Sequence, residues 1–159
     1  MALRRIRRLG DPVLQKVSKP VTEVNHKIVD LVHDMLETMY TANGVGLAAP
    51  QVGVLKRIVV VDVTPEGNQP IVMINPEIIA AEGSQTGDEG CLSVPGMAGT
   101  VTRPNEVTVR AYDLSMKPFE IKGTELLARA FCHEIDHLDG IVYVEKVEGR
   151  LHEVNAEES

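Results

Sequence analysis

The sequence contains few aromatic and sulfur-bearing residues and has no excess of positive charge. Its 159 residues include no tryptophan, two phenylalanines, three tyrosines and two cysteines. We therefore expect an aliphatic core, and the cysteine count excludes a small fold held together by several disulfides. The formal net charge of −7 argues against a general basic surface, so we expect no DNA partner.

The sequence also lacks any apolar run near the roughly 20 residues that a transmembrane helix needs, so we expect no membrane span. The first ten residues contain four arginines and no apolar segment of the kind found in signal peptides. We therefore expect a cytoplasmic location, where thiols stay reduced. Cys91 and Cys132 are accordingly expected to be free thiols, with a disulfide between them as the alternative.

The most informative stretch lies near the C-terminal end and reads His133-Glu134-Ile135-Asp136-His137. It falls within residues 124–140, whose apolar periodicity predicts a helix. Residues four apart lie on one helix face with Cβ atoms about 5–6 Å apart, so two imidazoles can bind one ion. Glu134 would then lie beside the ion, where a base can take a proton from metal-bound water.

A tetrahedral ion held by two histidines needs a third protein ligand, and Cys91 is the best unassigned candidate. It lies in residues 89–96, which are rich in Gly and Pro and are therefore expected to be irregular. Cys132 precedes His133 by one residue, a rotation of about 100° around the helix. We interpret Cys132 as a packing residue.

The remaining periodicity predicts one further helix, over residues 25–42. The second helix is expected to begin at an N-cap, Thr124, and to end at Gly140. Strands are predicted at residues 57–63, 71–74, 107–111 and 119–122, with 76–81 continuing the sheet.

The predicted fold class is α+β, with antiparallel sheets packed around a central C-terminal helix that carries the His-Glu-x-x-His motif. We expect a single catalytic domain over residues 1–150. Residues 151–159 are expected to be a short, acidic, disordered tail.

A segment rich in small residues, 44–53, follows the first helix. Its spacing fits neither a P-loop nor a dinucleotide-binding loop. Small residues allow a backbone or a ligand to approach closely. We therefore expect a tightly packed loop or edge strand beside a site, with Gln51 as its strongly hydrogen-bonding side chain.

Taken together, three motifs resemble those of the peptide deformylases, which remove the N-formyl group from nascent bacterial polypeptides. The chain from about Leu3 to Val144 takes part in the resemblance, which includes the early stretch Gly10-Asp11-Pro12-Val13-Leu14. The three motifs match in order and spacing: Gly44-Val45-Gly46-Leu47-Ala48-Ala49-Pro50-Gln51, Glu89-Gly90-Cys91-Leu92-Ser93 and His133-Glu134-Ile135-Asp136-His137-Leu138-Asp139-Gly140.

The resemblance implies one divalent metal ion, with Fe²⁺ expected in the cell and Zn²⁺ or Ni²⁺ able to replace it. The implied roles are metal ligand for Cys91, His133 and His137, acid/base for Glu134, and oxyanion contact for Gln51 and the Leu92 N–H. Two imidazoles and one thiolate suit such borderline-soft metals and leave a position open for water.

The expected substrates are nascent peptides that begin with formyl-methionine, from which hydrolysis releases formate. Residues 44–46 and 89–91 suggest a cramped site that admits a formyl group and disfavours an acetyl group. We predict that Val45, Gly46 and Glu89 contact the substrate.

The chain departs from the family pattern in two places. Cys132 stands where the family often has Gln, and the end of the chain is short and acidic instead of a long helix. A transient approach to the ribosome would therefore lack a basic docking tail.

Two other functions compete with deformylation. A zinc peptidase would need a downstream third ligand: Tyr143 stands where one pattern requires His, and Glu153 lies near the spacing of another. The second competitor is an inert metal-binding or ribosome-associated module. Against it, a structural metal site is usually closed by a fourth protein ligand.

Overall fold

The structure, a computed structural model, describes residues 2–154. These residues form two α-helices, eight β-strands and three short 3₁₀ segments. The helices are α1 (His26–Thr41) and α2 (Leu126–Leu138). The strands are β1 (Gly46–Ala48), β2 (Ile58–Val61), β3 (Ile71–Glu82), β4 (Gln85–Cys91), β5 (Val94–Arg103), β6 (Glu106–Tyr112), β7 (Pro118–Thr124) and β8 (Glu148–Glu153).

The strands form two antiparallel sheets, as the sequence predicts. The five-stranded sheet has the order β1-β2-β3-β6-β7, and the three-stranded sheet has the order β4-β5-β8. Helix α2 contacts strands of both sheets. The α+β prediction, with antiparallel sheets around the C-terminal helix, is therefore confirmed.

The two helices cover opposite faces of the five-stranded sheet. All four residues of β2 are buried. Its side chains alternate between a core cluster that includes α1 and one that includes α2, as the period of two in a strand requires. This double burial explains why residues 58–61 read as an unbroken apolar run.

The ends of the helices agree only partly with the predictions. Helix α1 begins after Asn25, whose side chain accepts a hydrogen bond from the Ile28 N–H at 3.1 Å. The N-cap predicted at Thr124 is wrong, because this residue pairs with Glu106 in the β6–β7 ladder and the chain turns only at Glu125 (φ 54°). Gly140 takes the expected left-handed conformation (φ 78°).

Two segments expected to be irregular form strands. Residues 89–96 belong to a hairpin, since β4 and β5 pair up to Cys91 and Val94, and ladder hydrogen bonds offset the poor strand propensity of Gly and Pro. Residues 151–153, assigned to a disordered tail, lie in β8, which pairs with β5 through Met97 and Ala98. Val154 follows this strand, and its N–H donates to the Gly96 carbonyl at 2.9 Å. The remaining residues of that tail, 155–159, lie outside the described residues.

The N-terminal arm is held against the body of the domain. The Arg7 N–H donates to the Gln51 carbonyl at 2.6 Å, and the Leu9 N–H donates to the Ser93 carbonyl at 2.8 Å. The arm therefore packs against the two motif segments that contain Gln51 and Ser93. Within residues 2–154, no helix is both long enough and apolar enough to cross a membrane.

Candidate metal centre and cleft

The three predicted metal ligands lie together in the structure. His133 and His137 are one turn apart on α2 with ring centroids separated by 5.0 Å, and Cys91 ends β4. The Cys91 Sγ lies 3.4 Å from the His137 Nε2. One donor atom from each of the three residues lies within 4.8 Å of the other two, which is compatible with a shared ion.

The donor set suits a divalent transition metal. A thiolate and two imidazoles are the usual ligands of zinc and of other borderline-soft ions. Two buried polar atoms beside the cluster, Glu134 Oε1 and His137 Nδ1, have no hydrogen-bond partner among the described residues. Buried polar groups rarely lack partners, so the unpaired Glu134 oxygen is consistent with a water or substrate group that completes the site.

Glu89 orients the first histidine. The His133 Nδ1 lies 2.7 Å from Glu89 Oε2, which leaves the Nε2 of the ring for an ion. Arg103 and Arg129 donate three further hydrogen bonds to the same carboxylate, at 2.6–3.1 Å. Histidine ligands of metals are commonly held by a carboxylate in this way.

Glu89, which we predict to contact the substrate, lines the cleft described below, and its carboxylate is directed at protein groups. Only 5% of the residue is exposed, and both carboxylate oxygens already accept hydrogen bonds from protein groups. Burial acts to raise the pKa of Glu89, but the hydrogen bonds from His133 and Arg103 outweigh it and lower the pKa to about 2. Glu89 is therefore ionised and directed at the histidine.

Glu134 has the opposite electrostatic environment. It is buried beside the cluster, with its Oε2 4.0 Å from the His133 Nε2. Burial raises its pKa to about 7, despite the opposing charge of His133. A carboxyl group whose pKa is near neutrality can both accept and donate a proton.

The side chain of Gln51 is held beside Cys91 by hydrogen bonds. Its Oε1 accepts a hydrogen bond from the Ala48 N–H at 3.0 Å. Its Nε2 donates to the Ser93 Oγ at 3.0 Å and contacts the Cys91 Sγ at 3.5 Å. The amide N–H groups of Gln51 are thereby held next to the metal-binding cluster, and Leu92 follows Cys91 in the β4–β5 turn.

A cleft of about 600 Å³ opens onto this cluster. Val45 and Gly46, both predicted to contact substrate, line it together with Gln51, Leu92 and Glu134. Strands β1 and β4, on the two sides of the cleft, are edge strands of their respective sheets. Their free backbone groups can pair with an extended peptide.

The glycines of the first motif make the cleft narrow. A Cβ built on Gly46 would lie 2.5 Å from Glu134 Oε2, and one on Gly44 would lie 2.6 Å from the Leu92 side chain. Only glycine permits these approaches without a shift of the neighbouring group. The prediction that residues 44–53 form a tightly packed edge beside a site is confirmed.

The other candidate residues are not part of the metal-binding group found among the described residues. Cys132 packs in the core formed with α2, as predicted, and both cysteines are free thiols. Tyr143 is buried with its ring centroid 5.8 Å from that of His133, and its hydroxyl donates to the Met97 carbonyl at 3.3 Å. Glu153 is exposed in β8 and is not part of the metal-binding group found among the described residues.

Sequence reasoning missed the supporting residues. Arg103 bridges Glu89 and Asp136, at 2.7 Å from the latter, and Arg129 and Ser93 complete the contacts of Glu89 and Gln51. Ser93 and Asp136 lie inside recognised motifs, which could have marked them. No local pattern marks Arg103 or Arg129, because their shared partner Glu89 is 14 residues away from the first and 40 from the second.

Comparisons with known proteins agree with this geometry. The family model for polypeptide deformylase matches residues 3–152. The peptide deformylase of Lachnoclostridium phytofermentans is 69% identical over 156 residues, covering 98% of this chain and 96% of that protein. That of Agathobacter rectalis is 69% identical over 159 residues and covers 100% and 99% of the two chains.

Solved structures show the same fold. A peptide deformylase from Legionella pneumophila superimposes with a TM-score of 0.90 at 47% identity, covering 92% of this chain and 87% of that one. One from Thermotoga maritima gives a TM-score of 0.89 at 39% identity, covering 94% and 100%. The chain therefore belongs to the polypeptide deformylase family of enzymes.

Proposed function

We propose that the protein hydrolyses the N-formyl group of peptides that begin with formyl-methionine and releases formate. The observation that carries the proposal is the cluster of Cys91, His133 and His137 beside Glu134 and Gln51, at the bottom of a cleft between two edge strands. The family membership supports nascent polypeptides as the substrates.

Cys91, His133 and His137 would hold one divalent ion. We propose Fe²⁺ in the cell, with Zn²⁺ or Ni²⁺ able to occupy the same ligands. When bound, such an ion lowers the pKa of a coordinated water to near 7 and polarises a carbonyl oxygen. Glu89 keeps the His133 ring oriented through its 2.7 Å contact with Nδ1.

Glu134 acts as the general base and then as the general acid. Its carboxylate takes the proton of the attacking water and delivers it to the amine nitrogen as the C–N bond breaks. The pKa raised to about 7 by burial suits both transfers. A nearby cation would lower this pKa and favour the base form before the attack.

Gln51 and the Leu92 N–H stabilise the negative charge that develops on the formyl oxygen. The contacts of Gln51 with Ala48 and Ser93 fix its amide before substrate binds, so little reorganisation is needed during the reaction. One donor of this kind typically lowers the barrier by about 2.7–4 kcal/mol.

The width of the cleft supports a formyl substrate. The carbonyl carbon of a formyl group carries only hydrogen, whereas an acetyl group must place a methyl near Glu134 and Gly46. The 2.5 Å approach of a Cβ on Gly46 to Glu134 Oε2 shows how little space remains there. Backbone pairing with β1 or β4 would align the peptide, while Val45 contacts its side chains.

The decisive experiment compares formyl-Met-Ala-Ser with acetyl-Met-Ala-Ser. We expect rapid formate release from the first, very slow reaction of the second and no cleavage between Met and Ala, all measured by mass spectrometry of the products. Comparable deacetylation or any internal cleavage would reject the proposal in favour of a broader amidohydrolase or a peptidase.

The setting of the reaction is also proposed. Formylated nascent chains are met in the bacterial cytoplasm, close to the ribosome. The last described strand, β8, pairs with β5 and carries exposed acidic residues at Glu148 and Glu153. A contact with the ribosome would therefore be transient and would not use β8 as a basic docking surface.

A further inference from the structure

The two histidines of the metal-binding cluster are held in different ways. The His133 ring is oriented through its Nδ1, which lies 2.7 Å from the Glu89 carboxylate. The His137 Nδ1 is buried and has no hydrogen-bond partner among the described residues. A metal-binding histidine is usually oriented by a hydrogen bond at its second ring nitrogen. The orientation of His137 must therefore come from packing and from the backbone at the end of α2.

The end of α2 is tied to other parts of the chain by two donors. The Leu138 carbonyl, one residue after His137, accepts hydrogen bonds from the Ser18 N–H at 2.8 Å and from the Arg57 Nη1 at 3.1 Å. The same Arg57 nitrogen lies 3.1 Å from Asp139 Oδ1. The last carbonyls of a helix have no partner within the helix. The two outside donors therefore hold the last turn of α2, which includes His137.

Arg57 is a firmly held donor because its own backbone is bonded on both sides. Its N–H donates to the Lys19 carbonyl at 3.0 Å, and its carbonyl accepts from the Asn75 N–H at 2.8 Å. Its guanidinium places a positive charge at the negative end of the helix dipole. The only basic residue in the last turn of α2 itself is His137, and an imidazole that binds a metal is neutral.

We infer that Arg57 is a positioning residue that holds His137 in the geometry needed for metal binding. It acts through the Leu138 carbonyl and takes no direct part in the chemical step. This inference rests on the metal centre of the proposed function and adds a supporting residue to it. Its first consequence concerns the affinity of the protein for a metal ion.

Three substitutions separate the carbonyl contact from the ion pair. Arg57→Met should weaken Zn²⁺ binding by about 10-fold, the lower end of the range for residues that support metal ligands, because the Ser18 bond remains. Arg57→Lys keeps a positive charge and should recover part of this loss. Asp139→Asn keeps the carbonyl contact, and the Asp139 side chain is 49% exposed, so Zn²⁺ affinity should stay within about twofold of wild type.

The test measures the Zn²⁺ dissociation constant of each Zn²⁺-loaded variant by competition with a chromophoric chelator. The absorption spectrum of each Co²⁺-loaded variant is recorded as well, because it depends on the ligand geometry around the metal. A displaced His137 changes this spectrum, whereas a loss of folding stability alone does not. Arg57→Lys tests the inference by the same two measurements if Arg57→Met does not fold.

Arg4→Met is the matched control. Arg4 is also a partly buried arginine paired with a carboxylate on a helix, but it lies 2.9 Å from Asp34 on α1. Its substitution should leave Zn²⁺ affinity and the Co²⁺ spectrum unchanged, even where urea unfolding shows lower stability.

Two results would overturn the inference. One is Zn²⁺ affinity and a Co²⁺ spectrum in Arg57→Met equal to those of wild type, and the other is an equal loss of affinity in Arg4→Met. Neither measurement requires catalysis. A wild-type protein that binds Zn²⁺ but releases no formate from formyl-Met-Ala-Ser would therefore contradict the proposed function and not the role of Arg57.

Discussion

Gly46→Ala is expected to inactivate the enzyme while leaving it folded. The glycine lies in β1 directly against the carboxylate of Glu134, the proposed acid/base. Its backbone is outside the left-handed region, so alanine is compatible with its conformation. The new methyl carbon would nevertheless lie 2.5 Å from Glu134 Oε2 and 2.9 Å from Glu134 Cδ. The substitution therefore tests the close approach and not the flexibility of glycine.

The magnitude follows from the required displacement. Non-bonded heavy atoms prefer separations of about 3.5–4.0 Å, so the carboxylate must move by about 1 Å. A misplacement of this size in a catalytic group can reduce the rate by about 100-fold. Overpacking in a buried site typically costs about 1–3 kcal/mol of folding free energy, which a domain of this size tolerates.

The assay is steady-state formate release from formyl-Met-Ala-Ser, with metal content and urea unfolding measured on the same samples. Gly87→Ala is the control, because its Cβ would come no closer than 3.7 Å to a neighbouring atom. We expect a loss of about 100-fold in kcat for Gly46→Ala, with the metal retained, and almost none for Gly87→Ala. Activity of Gly46→Ala within about threefold of wild type would refute the argument that this contact positions Glu134.

Three further predictions concern the metal centre and its support. Glu134→Gln should keep the metal but reduce turnover by about 100-fold or more, whereas Cys91→Ala should lose the metal. Metal content and activity are measured on the same samples, and metal loss in Glu134→Gln with retention in Cys91→Ala would show that the two roles are assigned wrongly. If the native ion is iron, thiolate ligation should make the enzyme air-sensitive, and nickel exchange should give stable activity; a closed zinc site with four protein ligands would contradict this. Glu89→Gln should lower the unfolding free energy of the metal-free protein near pH 7 by about 3 kcal/mol. The Glu89 pKa falls from 4.5 to about 2 on folding, and one pKa unit corresponds to about 1.4 kcal/mol. A carboxylate whose pKa is lowered on folding stabilises the folded state at pH values above its unfolded-state pKa, and this stabilisation is lost as the pH falls through the folded-state pKa. The difference in unfolding free energy between the two proteins should therefore shrink between pH 4.5 and 2. A difference that does not change with pH in that range would show that the ionised carboxylate is not its cause.

Local sequence patterns were sufficient to predict the helices, several strands and most residues of the candidate site. The spacing of His133 and His137 places both imidazoles on one helix face, and a period of 3.6 residues is a local property. The same holds for α1 and for the strands around residues 58–61 and 107–111. Gln51 could be singled out because it was the only strongly hydrogen-bonding side chain in a segment of small residues.

Other features depended on pairing between distant segments. The hairpin at 89–96 and strand β8 form against their composition, because ladder hydrogen bonds with β5 outweigh weak intrinsic propensity. Thr124 fails as an N-cap for the same reason, since it is held in the β6–β7 ladder.

The roles of buried charges were also decided by the tertiary structure. No sequence pattern indicated the partners of Glu89, and only the fold surrounds its carboxylate with Arg103, Arg129 and His133. Composition and periodicity report which residues are buried, but they do not specify which opposite charge each buried carboxylate meets. That choice depends on distances across the sheets and α2, and it separates the ionised Glu89 from the readily protonated Glu134.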